Sequence, residues 1–238
     1  MPVITISRQF GAAGVPVGRA LADRFEAEFL DRAIVAQVAL RSGIPEDELE
    51  SYDERLPGLW QRIASALATS SPEVTMPAIP YDQLPTMSTH DRLVQITRTV
   101  IEEAAERGNA IILGRGAAFI LRGRRNALHV QLHASLEARV RYLLTRVEEI
   151  PPDTRPDERS LEELCRSIDG TRAEYVRRLY GADWLNATHY DLAVDTGRLG
   201  VQRTVDLIES VAREGVADQA APPTPPSTAP PTAPDSRL

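Results

Sequence analysis

The sequence contains no lysine, so all 27 of its basic residues are arginine. This absence excludes a standard Walker A loop, in which a lysine side chain reaches the phosphates of a nucleotide. The lone cysteine, Cys165, excludes an internal disulfide, and no apolar run approaches the roughly 20 residues of a transmembrane helix. Because the first residues also lack the charged-then-apolar order of a signal peptide, we expect a cytoplasmic protein with no membrane partner.

The charge balance limits the partners of this chain. Its 34 acidic residues outnumber its 27 arginines and give a net charge of -7, which argues against general binding to nucleic acid. Clustered arginines still allow a local anion site on such an acidic protein. No spacing of histidine, cysteine and carboxylate residues predicts a metal-binding group.

The composition divides the chain into one folded domain and a tail. With 42% hydrophobic content in 238 residues, the part at 1–216 can bury one substantial core. The part at 217–238 holds seven of the 18 prolines and almost nothing that could pack, so we expect disorder with polyproline character. This tail is either a solvating extension or a docking segment for a partner that recognises proline.

Short β-branched runs alternate with longer helical periodicities in the folded domain, which predicts a three-layer α/β fold around a parallel sheet. The predicted strands lie at residues 3–6, 110–113, 128–132 and 190–194. The predicted helices lie at residues 15–25, 31–41, 91–107, 135–147, 161–180 and 201–213, with Ser135 as the cap of its helix. A stretch at about 43–88, interrupted by prolines, predicts an insertion or a flap on the substrate side.

Ligands of open parallel sheets bind beyond the carboxyl ends of the strands, so residues that directly follow the predicted strands are site candidates. These candidates are Ser7, Arg8, Gly11, Gly14, Gly114, Arg115, Asp195 and Thr196. The turn from Gly11 to Gly14 leads from a strand into a helix, which is the layout in which backbone N–H groups hold phosphate. Asp195 and Thr196 either contact the ligand or cap the helix that follows them.

The helix predicted over 161–180 is dense in guanidinium groups. It carries Arg166, Asp169, Arg172, Arg177 and Arg178. Several guanidinium groups can hold several phosphate oxygens at once. Alternatively, these arginines form a solvated helix face with Glu162, Glu163 and Glu174, because charge pairs four residues apart are common on helices.

Three blocks of the sequence, in order and at workable separations, carry a family resemblance. The opening ISRQFGAAG is similar to an ISRE-type start followed by a Gly-Ser-Gly-Gly turn. NAIILGRGAAFILRGRRNALHVQLHASLEARV is similar to a central block in which one strand ends in Gly-Arg and the next leads into a helix. IDGTRAEYVRRLYGADWLNATHYDLAVDTGRLG is similar to a lid and last strand. From residue 3 to about residue 210, the chain resembles the cytidylate kinase-like family of P-loop nucleoside monophosphate kinases.

The resemblance implies a P-loop kinase fold with a helical lid at about residues 155–188, ATP as the phosphoryl donor and Mg²⁺ bridging the donor phosphates. The implied substrate is a small-molecule nucleotide, cytidylate in that family. Donor contacts are expected from Arg8, Gly11, Ala12, Ala13, Gly14 and Val15. Substrate contacts are expected from Asp31, Arg32 and Arg115, and catalytic roles from Arg115, Arg166, Asp169 and Arg172.

The chain departs from the family pattern at the positions that matter for the chemistry. Gly14 stands where a standard kinase has the Walker lysine, which members of this family already lack. Val15 stands where a standard kinase has the magnesium-binding hydroxyl and where the family commonly has an arginine. Gly116 replaces the aspartate that follows the arginine of the central strand. Arg8 or Arg19 could supply the missing positive charge. We expect Arg19 to point along its helix surface, so Arg8 is the preferred candidate.

These features predict an ATP-dependent kinase of nucleoside monophosphates. Phosphoryl transfer needs positioning and charge neutralisation more than covalent help, so arginines could replace the missing lysine. The alternative is a catalytically weak or inactive nucleotide-binding regulatory protein that keeps the kinase fold. A kinase of another small metabolite that accepts phosphate is the third interpretation.

Overall fold

The computed structural model describes residues 2–31, 89–147 and 155–215, which form an α/β fold around one parallel sheet. The strands are β1 (Val3–Arg8), β2 (Glu28–Leu30), β3 (Ala110–Leu113), β4 (Ala127–His133) and β5 (Leu192–Asp195). The helices are α1 (Gly14–Phe25), α2 (Thr89–Arg107), α3 (Ala117–Ile120), α4 (Leu136–Val147), α5 (Glu158–Tyr180) and α6 (Thr196–Glu214), with a 3₁₀ helix at Ala187–His189. The predicted helix beyond residue 31, the flap at about 43–88 and the tail at 217–238 lie outside these residues.

The five strands run parallel in the order β2-β3-β1-β4-β5. Val3 of the central strand is in register with Ala110 on one side and Ala127 on the other. Strands that are covered on both faces read as nearly continuous apolar runs, which is why β1, β3 and β4 could be predicted from the sequence. The predicted parallel α/β architecture is confirmed.

Helices cover both faces of the sheet and create three apolar clusters. On one face, α1 and α6 pack against Ile4, Ile6 and Val130. On the other face, α2 and α3 pack against Val3 and Ile112. The third cluster joins α4 to α5 and includes Phe10, which belongs to the loop after β1. That loop is therefore packed against the α4–α5 pair.

Several boundaries differ from the sequence predictions. The edge strand β2 was not predicted, because three residues with one buried side chain give no readable alternation. Helix α5 begins earlier, at Glu158, because the side chain of Asp157 accepts a hydrogen bond from the Ser160 N–H. Helix α6 begins directly after β5 and is kinked at Gly200, beyond which it follows the predicted helix. The predicted cap of α4 is confirmed, since Ser135 Oγ accepts from the Ala138 N–H.

Among the described residues, no helix combines the length and the apolar character that a membrane span requires.

Candidate active site

The loop at residues 9–13 connects β1 to α1, and we call it the β1–α1 loop. Gly11 has φ +80°, and Ala13 adopts the left-handed conformation with φ 53° and ψ 30°. No side chain caps the start of α1, and its first turn contains no acidic residue. The first N–H groups of a helix and the positive end of its dipole attract anions. This loop therefore has the backbone geometry of an anion-binding site.

A cavity of about 220 Å³ opens over the β1–α1 loop and the start of α1. Gly11, Ala13, Gly14 and Val15 line it. Four arginines line it as well, namely Arg8, Arg19, Arg146 and Arg172. No carboxylate belongs to the described residues around this cavity. The cavity, which we call the loop cavity, is therefore suited to a ligand with several negative charges.

A second cavity lies beyond the ends of β1 and β3, and we call it the β3 cavity. Three guanidinium groups line it, from Arg8, Arg115 and Arg172. Its other walls include Phe119, Tyr175 and Trp184. Arg8 and Arg172 thus line both cavities, so the two neighbouring cavities share two arginines.

Arg8 reaches from one cavity to the other because two glycines leave room for its side chain. Its aliphatic part lies against Gly14, where an added Cβ would be 2.7 Å from Arg8 Cγ. Its guanidinium lies against Gly114, at the end of β3. A side chain larger than that of glycine at position 14 would therefore collide with the stem of Arg8.

An aromatic cluster closes one side of the β3 cavity. Phe119 stacks on Tyr180 with ring centroids 5.3 Å apart, and Tyr175 meets Tyr180 edge to face at 6.4 Å. Tyr180 also lies against Gly116, where an added Cβ would be 2.6 Å from Tyr180 Cε2. An aspartate at position 116 would collide with this ring. The departure from the family pattern at Gly116 therefore has a steric reason.

Side chains from α4 and α5 hold the backbone of the β1–α1 loop through hydrogen bonds. Asp169 Oδ1 accepts the Phe10 N–H at 2.8 Å, and Arg139 Nη1 donates to Asp169 Oδ2 at 2.6 Å. Arg172 Nη1 donates to the carbonyl oxygen of Arg8 at 3.1 Å. Burial raises the pKa of Asp169, and the Phe10 N–H and the two guanidinium groups offset part of this rise. These contacts fix the backbone on both sides of Gln9.

A second anchor comes from the start of α6. The hydroxyl of Thr196 lies 3.2 Å from the carbonyl oxygen of Ala12 and 3.2 Å from that of His133. Asp195 caps α6, because its Oδ1 accepts the Arg198 N–H at 3.2 Å. Asp195 thus caps the following helix, which is one of the two expected outcomes. Thr196 attaches the loop to the start of α6.

The structure brings most of the predicted site residues together. Arg8, Gly11, Ala13, Gly14, Val15 and Arg172 line the loop cavity, and Arg8, Arg115 and Arg172 line the β3 cavity. Ala12 belongs to the loop but turns its carbonyl toward Thr196. Arg19 also lines the loop cavity.

Three predicted residues lie elsewhere, or outside the described residues. Arg166 is exposed on α5 and pairs with Glu162 at 3.0 Å, and it lines neither described cavity. Asp31 directly follows β2 and also lines neither of them. Arg32 lies outside the described residues. Their assigned roles therefore rest on the sequence resemblance.

Sequence reasoning missed two arginines of α4. Arg139 is buried and holds the loop, while Arg146 lines the loop cavity. A signal for Arg139 was present, because it interrupts the apolar stripe formed by Leu136, Val140 and Leu143. An arginine inside such a stripe needs a buried partner, and that partner is Asp169.

The fold of this chain is similar to that of solved structures of other proteins. A crystal structure of an uncharacterised protein from Eubacterium ventriosum matches with a TM-score of 0.61 and 16% identity, over 88% of this chain and 97% of that chain. The crystal structure of shikimate kinase from Bacteroides thetaiotaomicron gives a TM-score of 0.44 and 14% identity, over 88% of this chain and 97% of that chain. At these identities the likeness concerns the fold alone.

One curated protein also resembles part of the chain. The uronate isomerase of Corynebacterium glutamicum is 30% identical over 121 residues, which are 50% of this chain and 22% of that protein. Because the chain spans less than a quarter of that protein's length, the match carries no conclusion about isomerase chemistry.

The model of the cytidylate kinase-like family matches residues 3–198, which include β1 to β5 and both described cavities. The match covers well over half of the chain. The chain therefore belongs to the cytidylate kinase-like family and has a kinase-like P-loop fold.

Proposed function

We propose that this protein transfers a phosphoryl group from ATP in the loop cavity to a nucleoside monophosphate, with cytidylate as the first candidate, in the β3 cavity. The observation that carries the proposal is that Arg8 and Arg172 line both cavities. A transferred phosphoryl group passes between donor and acceptor, so cations shared by the two sites meet it throughout the reaction.

On the donor side, the β1–α1 loop and the start of α1 supply N–H groups to the phosphates. Arg8, Arg19, Arg146 and Arg172 supply positive charge. The uncapped helix start and the absence of carboxylates among the described lining residues fit a polyphosphate chain. In this proposal, guanidinium groups replace the ammonium group of a Walker lysine.

On the acceptor side, Arg115 holds the phosphate of the monophosphate together with Arg8 and Arg172. The left-handed backbone of Arg115, with φ 55°, turns the chain between the glycines at 114 and 116. An acceptor oxygen attacks the terminal phosphorus of ATP, and the bond from that phosphorus to its bridging oxygen breaks. ADP leaves with the electron pair, and the positioned guanidinium groups neutralise the negative charge of the transition state.

Magnesium is the cofactor that the family implies, and the described residues do not form a protein site for it. Val15 offers no oxygen at the usual position of the hydroxyl ligand, and no carboxylate of the described chain lines either cavity. No group of three or more histidine, cysteine or acidic residues in the described part of the chain could hold a metal ion. We therefore derive no step through Mg²⁺.

The absence of lysine from the sequence and of a hydroxyl at Val15 favours a second candidate function, which is nucleotide binding without turnover. A protein that lacks both the lysine and the magnesium hydroxyl keeps the means to bind phosphate but loses two groups that promote its transfer. In this case, the chain would act as a nucleotide-binding regulator with the kinase fold.

One assay separates the two functions. The purified protein is incubated with ATP, Mg²⁺ and a panel of nucleoside monophosphates and other small phosphate acceptors, and diphosphate formation is followed by ³¹P NMR. Steady formation of a diphosphate supports the kinase. Binding of ATP in calorimetry without product over several hours selects the regulator.

Arg115→Ala tests the site within that assay, since it should abolish turnover. Arg159→Gln is the control, because Arg159 is 88% exposed on α5 and pairs only with Glu163 among the contacts described for it. Full activity of Arg115→Ala would overturn the role assigned to Arg115.

A further inference from the structure

Both backbone groups of Phe10, in the β1–α1 loop, are held by one buried ion pair. Asp169 Oδ1 accepts the Phe10 N–H at 2.8 Å, and Arg139 Nη1 donates to the Phe10 carbonyl oxygen at 3.1 Å. Arg139 Nη1 also lies 2.6 Å from Asp169 Oδ2, and the two side chains are 8% and 13% exposed. The pair thus joins α4, α5 and the loop at one point.

We propose that Arg139 and Asp169 are positioning residues that fix the β1–α1 loop in its phosphate-binding conformation. They act on the ligand through the loop amides and through Arg172, without contacting it. This inference rests on the proposed function, because it assumes that the loop binds phosphate. Neither Arg139 nor Asp169 is among the described residues that line the two cavities.

The β1–α1 loop needs an external support. Gly11 and Ala13 both have positive φ, and a left-handed conformation is unfavourable at a residue with a Cβ such as Ala13. No side chain caps the start of α1. Gly11 instead packs on the backbone of α4, where an added Cβ would lie 3.2 Å from the Arg139 carbonyl oxygen. The contacts from α4 and α5 therefore supply the order that the loop's own sequence does not.

The stability of the fold does not by itself account for the buried ion pair between Arg139 and Asp169. A buried ion pair is often no more stabilising than an apolar pair of the same size, because both charges lose their hydration. Packing alone does not explain why an arginine and an aspartate occupy this place between the leucines of α4 and α5. Their hydrogen bonds to both backbone groups of Phe10 do explain it, since an apolar pair could not make them.

Asp169 also orients Arg172. Arg172 Nη1 lies 3.7 Å from Asp169 Oδ1 and donates to the Arg8 carbonyl oxygen at 3.1 Å. Arg172 is one of the two cations shared by the cavities. One carboxylate therefore fixes the loop backbone at Phe10 and the position of a guanidinium group next to the cavities.

The experiment compares Arg139→Gln and Asp169→Asn with two matched controls. Arg141→Gln and Glu163→Gln remove exposed members of pairs on the same two helices. Amide hydrogen exchange over residues 9–14 is measured without nucleotide, and the dissociation constant of ATP is measured by calorimetry. Thermal unfolding of each variant corrects the exchange rates for any change in global stability.

We expect exchange in the loop to rise by on the order of 10-fold in both variants, beyond the change in the β3 and β4 amides. The dissociation constant of ATP should rise by on the order of 10-fold, the size of a lost hydrogen bond to a charged group. Both controls should match the wild type. Because the two residues act as one unit, the double variant should bind ATP no more weakly than the weaker of the two single variants.

Two results would overturn the inference: unchanged loop exchange, or raised exchange with unchanged ATP affinity. If the Gln and Asn variants do not fold, Arg139→Lys decides, because it keeps the buried charge and loses the forked donor geometry. A loop as protected in this lysine variant as in the wild type would also refute the proposal. If wild-type protein binds no ATP, the proposed function fails and the loop-fixing role is still decided by the exchange data.

Discussion

The guanidinium of Arg8 lies directly over Gly114. A side chain from β1 thus places its positive charge at the end of β3. A Cβ added to Gly114 would be only 2.0 Å from Arg8 Nη1. Gly114 also has φ +79°, so it is required both for the backbone conformation and for the space that Arg8 occupies. This contact explains how a chain without lysine brings one cation to both cavities.

Gly114→Ala should therefore impair function more than stability. The added methyl group should displace the guanidinium of Arg8, and the turnover or ATP affinity should fall by on the order of 10²-fold, as for a lost charge donor. The matched control is Gly123→Ala, because Gly123 has φ +84° and nothing lies within 4 Å of its added Cβ. We expect both variants to lose roughly 1–2 kcal/mol of stability and only Gly114→Ala to lose function. Equal function in the two variants would contradict the role of this contact.

A double-mutant cycle can test whether the Arg8 side chain occupies the space next to Gly14. Gly14→Ala places a methyl group 2.7 Å from Arg8 Cγ, so we expect it to destabilise the fold by about 1–3 kcal/mol. In an Arg8→Ala background the same substitution should cost clearly less, because the obstructing stem is gone. Chemical denaturation measures all four proteins. Gly170→Ala on α5 is the control, since nothing lies near its added Cβ and alanine favours a helix.

If Gly14→Ala costs as much stability in the Arg8→Ala background as in the wild type, the glycine is needed for another reason. The expected collision with the stem of Arg8 would then be ruled out.

The fold was predictable from the sequence where burial leaves a periodic signal. β1, β3 and β4 are interior strands, and their apolar runs identified them correctly. β2 escaped prediction because Glu28 is exposed and only Leu30 is buried in a strand of three residues. The early start of α6 escaped prediction because Gly200, with φ 72°, separates its first turn from the amphipathic part.

The candidate site was predictable where function follows from position along a strand. Arg8 and Arg115 stand at strand ends, so the parallel topology alone brings them to one edge of the sheet. The burial of Arg139 depends on how α4 packs against α5, and a single helix does not encode that. A residue whose role comes from the packing of two helices was therefore missed.

Acid should destabilise the protein partly through His129. This residue is buried on β4, with Nδ1 2.8 Å from the Thr5 hydroxyl oxygen, and burial lowers its pKa against the opposing effect of Asp191. The unfolded chain therefore binds a proton at His129 at a pH where the folded chain does not. Its contribution to stability is present above pH 6.5, the ordinary value for histidine, and is lost as the pH falls below it.

The measurement is the free energy of unfolding by urea at several pH values between 7.5 and about 5.5, above the range in which most carboxylates titrate. His129→Gln should lower the stability at every pH and flatten the slope below pH 6.5. A slope in His129→Gln as steep as in the wild type would assign the acid sensitivity to other groups.

Arg172 and Arg166 have different surroundings although both lie on α5 and only six positions separate them in the sequence. Arg172 lines both cavities and is 19% exposed, whereas Arg166 is 62% exposed and pairs with Glu162. Exposed pairs of this kind contribute about 0–1 kcal/mol. We therefore expect Arg172→Ala to reduce turnover or ATP affinity by ~10²–10³-fold and Arg166→Ala to change either by less than about threefold. A comparable loss in Arg166→Ala would restore the catalytic role that the sequence resemblance assigns to it. That result would indicate that Arg166 leaves Glu162 and reaches the phosphates when a nucleotide binds.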